Sequence, residues 1–172
     1  MFCELLEHSS WFYSVESPTI ETYQQLGNTP MSGRTDVSLY SSRRPDSKRA
    51  NVELKAHGGV AIEGLRKDLE KVLREDVDAL WFHTLENTDR GTLPTLFAKL
   101  RDAFALLDKE LAGRARSIVF AFCVLKREEL WLMTLALSGP ADEQLLRIAA
   151  ALDPAHLVQQ PPGAGWSVHR RG

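Results

Sequence analysis

The sequence predicts an α/β fold: a single-domain, three-layer sandwich in which a mixed β-sheet is flanked by helices. Three observations predict it. The chain has 172 residues, the size of one domain. Its apolar spacing switches repeatedly between a period of two and a period near 3.6. Helical stretches alternate with strand-like ones instead of being grouped at one end. A domain of this length buries roughly 70% of its unfolded surface, enough for a core without staples.

Phe2–Ser9 reads as a short helix with Phe2, Leu5 and Leu6 on one side. Trp11–Ser17 is aromatic and β-branched and is closed by Pro18, as expected for a strand. Residues 17–33 are poorly periodic and rich in turn formers, so a loop is expected there. Arg34–Ser41 and Asn51–Ala56 alternate apolar and polar residues and form a hairpin across the polar connector 42–50. His57, Gly58 and Gly59 end the second strand.

Ile62, Leu65, Leu69, Val72 and Leu73 recur at helical spacing through Ile62–Glu75. Ala79–Leu85 is a buried strand. Thr92 caps a helix with Pro94 in its first turn and the stripe Leu93, Leu96, Phe97, Leu100, Phe104 and Leu107. Ser117–Leu125 and Leu130–Ser138 form a second hairpin, which either extends the sheet or supplies the edge of a homodimer. Asp142–Leu152 is the last helix. The expected domain is 1–158, with 159–172 a loosely held tail.

Composition narrows the function. Hydrophobic residues make up 44% and charged residues 26%, which excludes disordered, collagenous and disulfide-scaffold classes. A net charge of −2 excludes a generic polycation. The charge is unevenly placed, however. Residues 33–75 hold ten basic and seven acidic side chains, against eleven and sixteen elsewhere. Cys3 and Cys123 read as reduced thiols. Glu4 and Glu7 stand where a secretory signal would need a basic start, and no apolar run approaches ~18 residues. A cytoplasmic setting with no membrane partner is expected.

Two places in the chain carry an acid–x–lysine triplet. Asp46-Ser47-Lys48 lies in a Pro/Ser connector with no strand context; Glu53-Leu54-Lys55 lies in an alternating strand. Glu53 and Lys55 share one face of that strand, and Val52 and Leu54 share the other. Antiparallel pairing brings Asp36 toward Glu53. Two converging carboxylates beside an ammonium suit Mg²⁺ or Mn²⁺ that retains several waters. Such a cation polarises a phosphodiester and acidifies a bound water. The plainer reading makes Glu53 and Lys55 the solvent face of an amphipathic strand and Asp36 a turn residue.

The region resembles the PD-(D/E)xK nuclease superfamily, with its restriction-endonuclease-like core. The likeness rests on the order Phe2–Ser9, Trp11–Ser17, Asp36 in GRTDVSLY, Glu53-Leu54-Lys55 in NVELKA, Ile62–Glu75 and Ala79–Leu85. It covers about the first half of the chain. Thr35, not proline, precedes Asp36. The resemblance implies that Asp36 and Glu53 bind metal and that Lys55 acts with the attacking water. It also implies that Glu4 or Glu7 supplies a further acid.

Basic side chains near that triplet extend the expectation. Arg43, Arg44, Lys48 and Arg49 in the connector suit phosphate contacts, as do Lys67 and Lys71, four apart on the following helix. A solvated hairpin tip would carry the same residues. His83 and Asn87 follow the next strand as candidate substrate contacts, although a lone histidine in an apolar run is more often a core residue. No activated-thiol, serine-nucleophile, zinc or nucleotide-loop pattern is present. The expected activity is a metal-dependent nuclease acting on DNA more than RNA. The alternative is a catalytically inactive nucleic-acid-binding or protein-interaction subunit of the same fold.

Overall fold

The computed structural model describes residues 6–24, 30–56, 61–88, 91–107, 115–153 and 165–170. Seven strands line up in chain order: β1 (Phe12–Gln24), β2 (Pro30–Tyr40), β3 (Lys48–Ala56), β4 (Asp78–Leu85), β5 (Ser117–Val124), β6 (Glu129–Ala136) and β7 (Trp166–Arg170). Helix α1 (Ile62–Leu73) joins β3 to β4, α2 (Thr92–Ala105) joins β4 to β5, and α3 (Ala141–Ala151) lies between β6 and β7. The β3–β4 and β4–β5 pairs, bridged by helices, are parallel; the other pairs are antiparallel. The fold is α/β with a mixed sheet.

Residues paired across a ladder share a face of the sheet. One row therefore runs Glu53, Trp81, Phe120, Met133, Trp166 across five strands. Every member is buried. Against this face α1 sets Leu65, Leu69, Val72 and Leu73, all fully buried. Each contributes about 1.5–3 kcal/mol of burial, which anchors the helix. Helix α2 places Phe97 5.1 Å from Phe122 and 5.7 Å from Trp166. Helix α3 joins through Ile148, and its Ala151 carbonyl accepts from Trp166 Nε1 at 3.1 Å.

All three helices thus lie on one face. On the other, Leu54, Leu80, Val119 and Leu132 are half-buried, and Val37 and Val52 are buried. Of the expected three-layer sandwich, the described residues supply the sheet and the helical layer on one face.

Three expectations about elements also change. Residues 17–24 and 30–33 do not form a loop, because β1 runs on to Gln24 and β2 starts at Pro30; residues 25–29 lie outside the described residues. Pro18 is tolerated since β1 is an outer strand whose far edge needs no amide donor. Residues Trp166–Arg170 are not a loose tail but pair with β6. Trp166 is seated in the core, and Arg170 Nε donates to Glu129 Oε1 at 3.1 Å. β7 pairs with Glu129–Met133 of β6, so over those residues the β5–β6 hairpin lies inside the sheet. Leu6 and Glu7 are helical, but residues 2–5 of the expected first helix lie outside the described residues. No described helix is long and apolar enough to cross a membrane.

Candidate functional site

The ladder between β2 and β3 runs from Tyr40 opposite Lys48 to Val37 opposite Val52, and there it ends. Asp36 and Glu53 occupy the next position along each strand. Beyond it β2 continues to pair with β1 alone. The Leu54 amide, without a β2 carbonyl, donates instead to Asp36 Oδ2 at 2.7 Å. Asp36 lies in register with Glu16, between the pairs Val15–Val37 and Ser17–Thr35. Glu16 has a φ of 54°, a left-handed backbone that costs a non-glycine residue about 1–2 kcal/mol. The separation of β2 from β3 thus coincides with a kink in the outer strand.

Alternation along β3 aims Glu53 and Lys55 at α1, which presents Asp68 and Lys71. Lys55 Nζ lies 2.8 Å from Glu53 Oε1 and 2.6 Å from Asp68 Oδ2. Lys71 Nζ lies 3.0 Å from Glu53 Oε1 and 2.9 Å from Asp68 Oδ1. Lys71 also donates to the Arg34 carbonyl of β2 at 3.1 Å, spanning the gap between the two strands. Two carboxylates and two ammoniums form a closed, neutral quartet.

Burial shapes the protonation of this quartet. It pushes the Glu53 carboxyl up to about 7, reinforced by the Asp68 charge and opposed by Lys71 and Lys55. Burial also raises Asp68, but hydrogen bonds from Lys55 and Lys71 outweigh it and hold that group below its usual range. For Lys55 burial acts downward, and hydrogen bonds to Asp68 and Glu53 carry it above the ordinary ammonium value. Lys71 behaves likewise, raised chiefly by the charge of Glu53.

One atom is left over. Glu53 Oε2 is buried and has no hydrogen-bond partner among the described residues. A buried carboxylate oxygen without a donor calls for a proton or a cation. Glu53 Oε2 is a hard oxygen donor of the kind a divalent ion takes, and Asp36, at the adjacent position of β2, would be the second. Among the described residues no three His, Cys, Asp or Glu side chains converge as a ligand set, so water would complete the shell.

No family model, curated protein or solved structure matches this chain. The site is accordingly read from its own geometry.

Of the residues expected from sequence, Glu53 and Lys55 are joined directly, while Asp36 is bound to the Leu54 amide at the adjacent position of β2. Glu53 and Lys55 are not the solvent face of the strand: their side chains are 1% and 16% exposed. Glu4 lies outside the described residues. Glu7 accepts from the Tyr13 hydroxyl at 3.3 Å and makes no contact with the quartet. His83 is fully buried, stacked 5.9 Å from Phe122 and tilted 6.4 Å from Trp81, so it is a core residue and not a substrate contact. Asn87 is exposed and accepts from the Thr88 amide.

The basic residues divide. The connector joins the ends of β2 and β3 farthest from Glu53. Glu53 lies five positions along β3 from Lys48, a span of about 17 Å. Arg43, Arg44 and Arg49 are exposed there and do not flank the carboxylates. Lys48 is withdrawn from solvent, its Nζ 2.9 Å from Glu75 Oε2. Glu75 also accepts from Asn51 Nδ2, and Asn51 Oδ1 accepts from Ser38, a buried polar chain that fixes the end of α1 on β3. Lys67 is exposed, whereas Lys71 turns inward, so the two do not share a groove.

Asp68 is the member that sequence reasoning missed. A signal existed: on α1 it falls at the margin of the stripe Leu65, Leu69, Val72, three residues before Lys71. A charged pair at i and i+3 beside a buried stripe points toward the sheet.

Proposed function

We propose that the chain is a metal-dependent nuclease of the PD-(D/E)xK kind that hydrolyses phosphodiester bonds, in DNA before RNA. One observation carries this reading. Asp36 and Glu53 occupy the first positions past the end of the β2–β3 ladder, Lys55 projects beside Glu53, and Glu53 keeps one buried oxygen without a hydrogen-bond donor among the described residues. The surrounding order supports it: an antiparallel meander, a helix, then a strand parallel to the third. That is the order the resemblance implies for a restriction-endonuclease-like core.

In this reading Asp36 and Glu53 Oε2 hold Mg²⁺ or Mn²⁺. When bound, the ion polarises the phosphodiester and acidifies a water. Lys55, kept charged by Asp68 and Glu53, steadies developing negative charge. Lys71 holds Glu53 Oε1, leaving Oε2 to face the ion.

The test is incubation of the purified protein with duplex, single-stranded and branched DNA, and with RNA, in Mg²⁺ or Mn²⁺. Cleavage should appear, stop in EDTA, and fall at least about 100-fold in Glu53→Ala and Lys55→Ala. Intact substrates throughout, or cleavage that survives Glu53→Ala, sinks the proposal.

A second reading is favoured by the neutrality of the quartet. Four charges that satisfy one another can serve only to clamp α1 onto β3, leaving a non-catalytic nucleic-acid-binding or protein-interaction subunit. Such a protein binds DNA, if at all, without needing a divalent cation.

A further inference from the structure

We infer that the cavity at the connector end of the β1–β2 hairpin is a subsite for an unpaired nucleotide, with its base on Phe12 and its phosphate on Arg43 and Arg44. The inference rests on the nucleic-acid reading above and names the form of substrate: a strand with unpaired bases. The cavity has a volume of about 250 Å³ and is lined by Phe12, Tyr13, Tyr40, Ser42, Arg43 and Arg44, among others. That is below the roughly 300–1,000 Å³ of small-molecule sites, and suits one planar group with its phosphate.

The lining has the two components that single-strand binding uses. Phe12 is 38% exposed on the outer strand. An exposed aromatic ring there offers a π-face on which any base can stack. The Arg43 guanidinium lies 5.4 Å from the Phe12 ring centroid, within cation–π range. Arg44 is largely exposed, with Asp46 3.5 Å away as its counter-ion. Two guanidiniums suit a phosphate, since each can donate a pair of parallel hydrogen bonds. The Tyr40 and Ser42 hydroxyls add polar edges.

A duplex does not fit this chemistry, because its base faces are hidden in the stack. An acidic peptide could engage the arginines but has no planar face for Phe12. The position is also useful. Tyr40 and Asp36 lie on the same face of β2, four residues and so about 13 Å apart. At the 3.4 Å rise of a stacked strand this is about four nucleotides. A base held on Phe12 would place a phosphodiester a few nucleotides along the strand near Asp36 and Glu53.

The test is fluorescence anisotropy with 5′-labelled (dT)12, its duplex with (dA)12, and an abasic 12-mer, all in EDTA so that nothing is cut. The wild type should bind (dT)12 at least about 5-fold tighter than it binds the abasic strand or the duplex. Phe12→Ala and Arg43→Ala should each weaken (dT)12 binding by a similar factor, with melting temperatures near that of the wild type. Phe12→Trp, which keeps a ring, should retain binding and serves where the alanine variant folds poorly. Equal affinity for (dT)12 and the abasic strand, equal affinity for the duplex, or displacement by polyglutamate as effective as by unlabelled (dT)12 would overturn the inference. These outcomes are separable from cleavage. Ring-dependent binding without hydrolysis defeats the nuclease reading and leaves the subsite; hydrolysis without ring-dependent binding does the reverse.

Discussion

Lys71 Nζ lies 3.0 Å from Glu53 Oε1, so a helix ammonium and a strand carboxylate meet over the gap where β2 separates from β3. Both are withdrawn from water, with side chains 19% and 1% exposed. Removing one partner leaves a buried charge with too few counter-charges. Lys71→Met should lower stability by about 2–4 kcal/mol in urea unfolding, close to the range for broken buried pairs. Adding Glu53→Gln should restore part of that loss. A Lys71→Met midpoint equal to the wild type would show that Lys55 alone neutralises Glu53.

Glu53 should also tie stability to pH. Its carboxyl is raised from an ordinary 4.5 to about 7, chiefly by burial, so between those values the folded state binds more protons than the unfolded one. Stability from the protonated group is full below about 4.5 and is lost as pH rises through about 7. The loss is up to roughly 3 kcal/mol, at 1.36 kcal/mol per pKa unit. Thermal melting from pH 5 to pH 8 should therefore fall in the wild type and flatten in Glu53→Gln. Parallel curves for the two proteins would place the proton elsewhere. The lowered Asp68 carboxyl acts oppositely, and its share disappears at acid pH.

The same proton gives a test of the metal. If a divalent cation binds Glu53 Oε2, it must displace the proton that the group holds below about pH 7. Titration calorimetry of Mn²⁺ at pH 6.5, in two buffers of different ionisation enthalpy, should show net proton release. That release should vanish in Glu53→Gln. Buffer-independent heats would mean the ion does not meet Glu53.

His83 is expected to matter for folding and not for substrate. It is fully buried against Phe122 and Trp81. His83→Ala should destabilise by about 2–4 kcal/mol, as truncation of large core residues does. Its affinity for DNA, measured where it remains folded, should match the wild type. A selective loss of affinity with unchanged stability would return His83 to the list of substrate contacts.

Glu16 carries the kink opposite Asp36. Replacing it by glycine removes the left-handed penalty while loosening the unfolded chain, so Glu16→Gly should be neutral or stabilising by up to about 1 kcal/mol. Glu16→Ile should cost about 1–2 kcal/mol, because a branched side chain resists a φ of 54°. If Glu16→Ile is neutral, the strand can straighten without loss.

How much of this was legible in the sequence depended on how local the cause was. Glu53 and Lys55 could be placed on one face because alternation is a property of six adjacent residues. The α1 stripe was equally plain. Residues 18–24 and 30–33 were read as loop because Pro18 and poor periodicity argue against a strand. Pairing with a neighbour across an outer edge overrides both. Trp166–Arg170 was missed because five residues carry little pattern, and β7 is held by distant partners: Phe97, Phe122, Ala151 and Glu129. The connector arginines are close to Glu53 in sequence and not in space, because an extended strand carries the chain about 17 Å away.

The strand order of the sheet repeats the order of the chain, and this divides the labour within the molecule. Asp36, Glu53, Lys55, Asp68 and Lys71 all belong to β2, β3 and α1, so every candidate chemical group comes from the part of the chain that precedes β4. What β4 to β7 add is the rest of the buried row that begins at Glu53 and ends at Trp166. That row is the low-dielectric wall behind the carboxylate. A lesion at Trp81, the member of that row directly opposite Glu53, would therefore reach the carboxylate as a change of medium: water admitted beside it would return its acidity toward that of an ordinary glutamate.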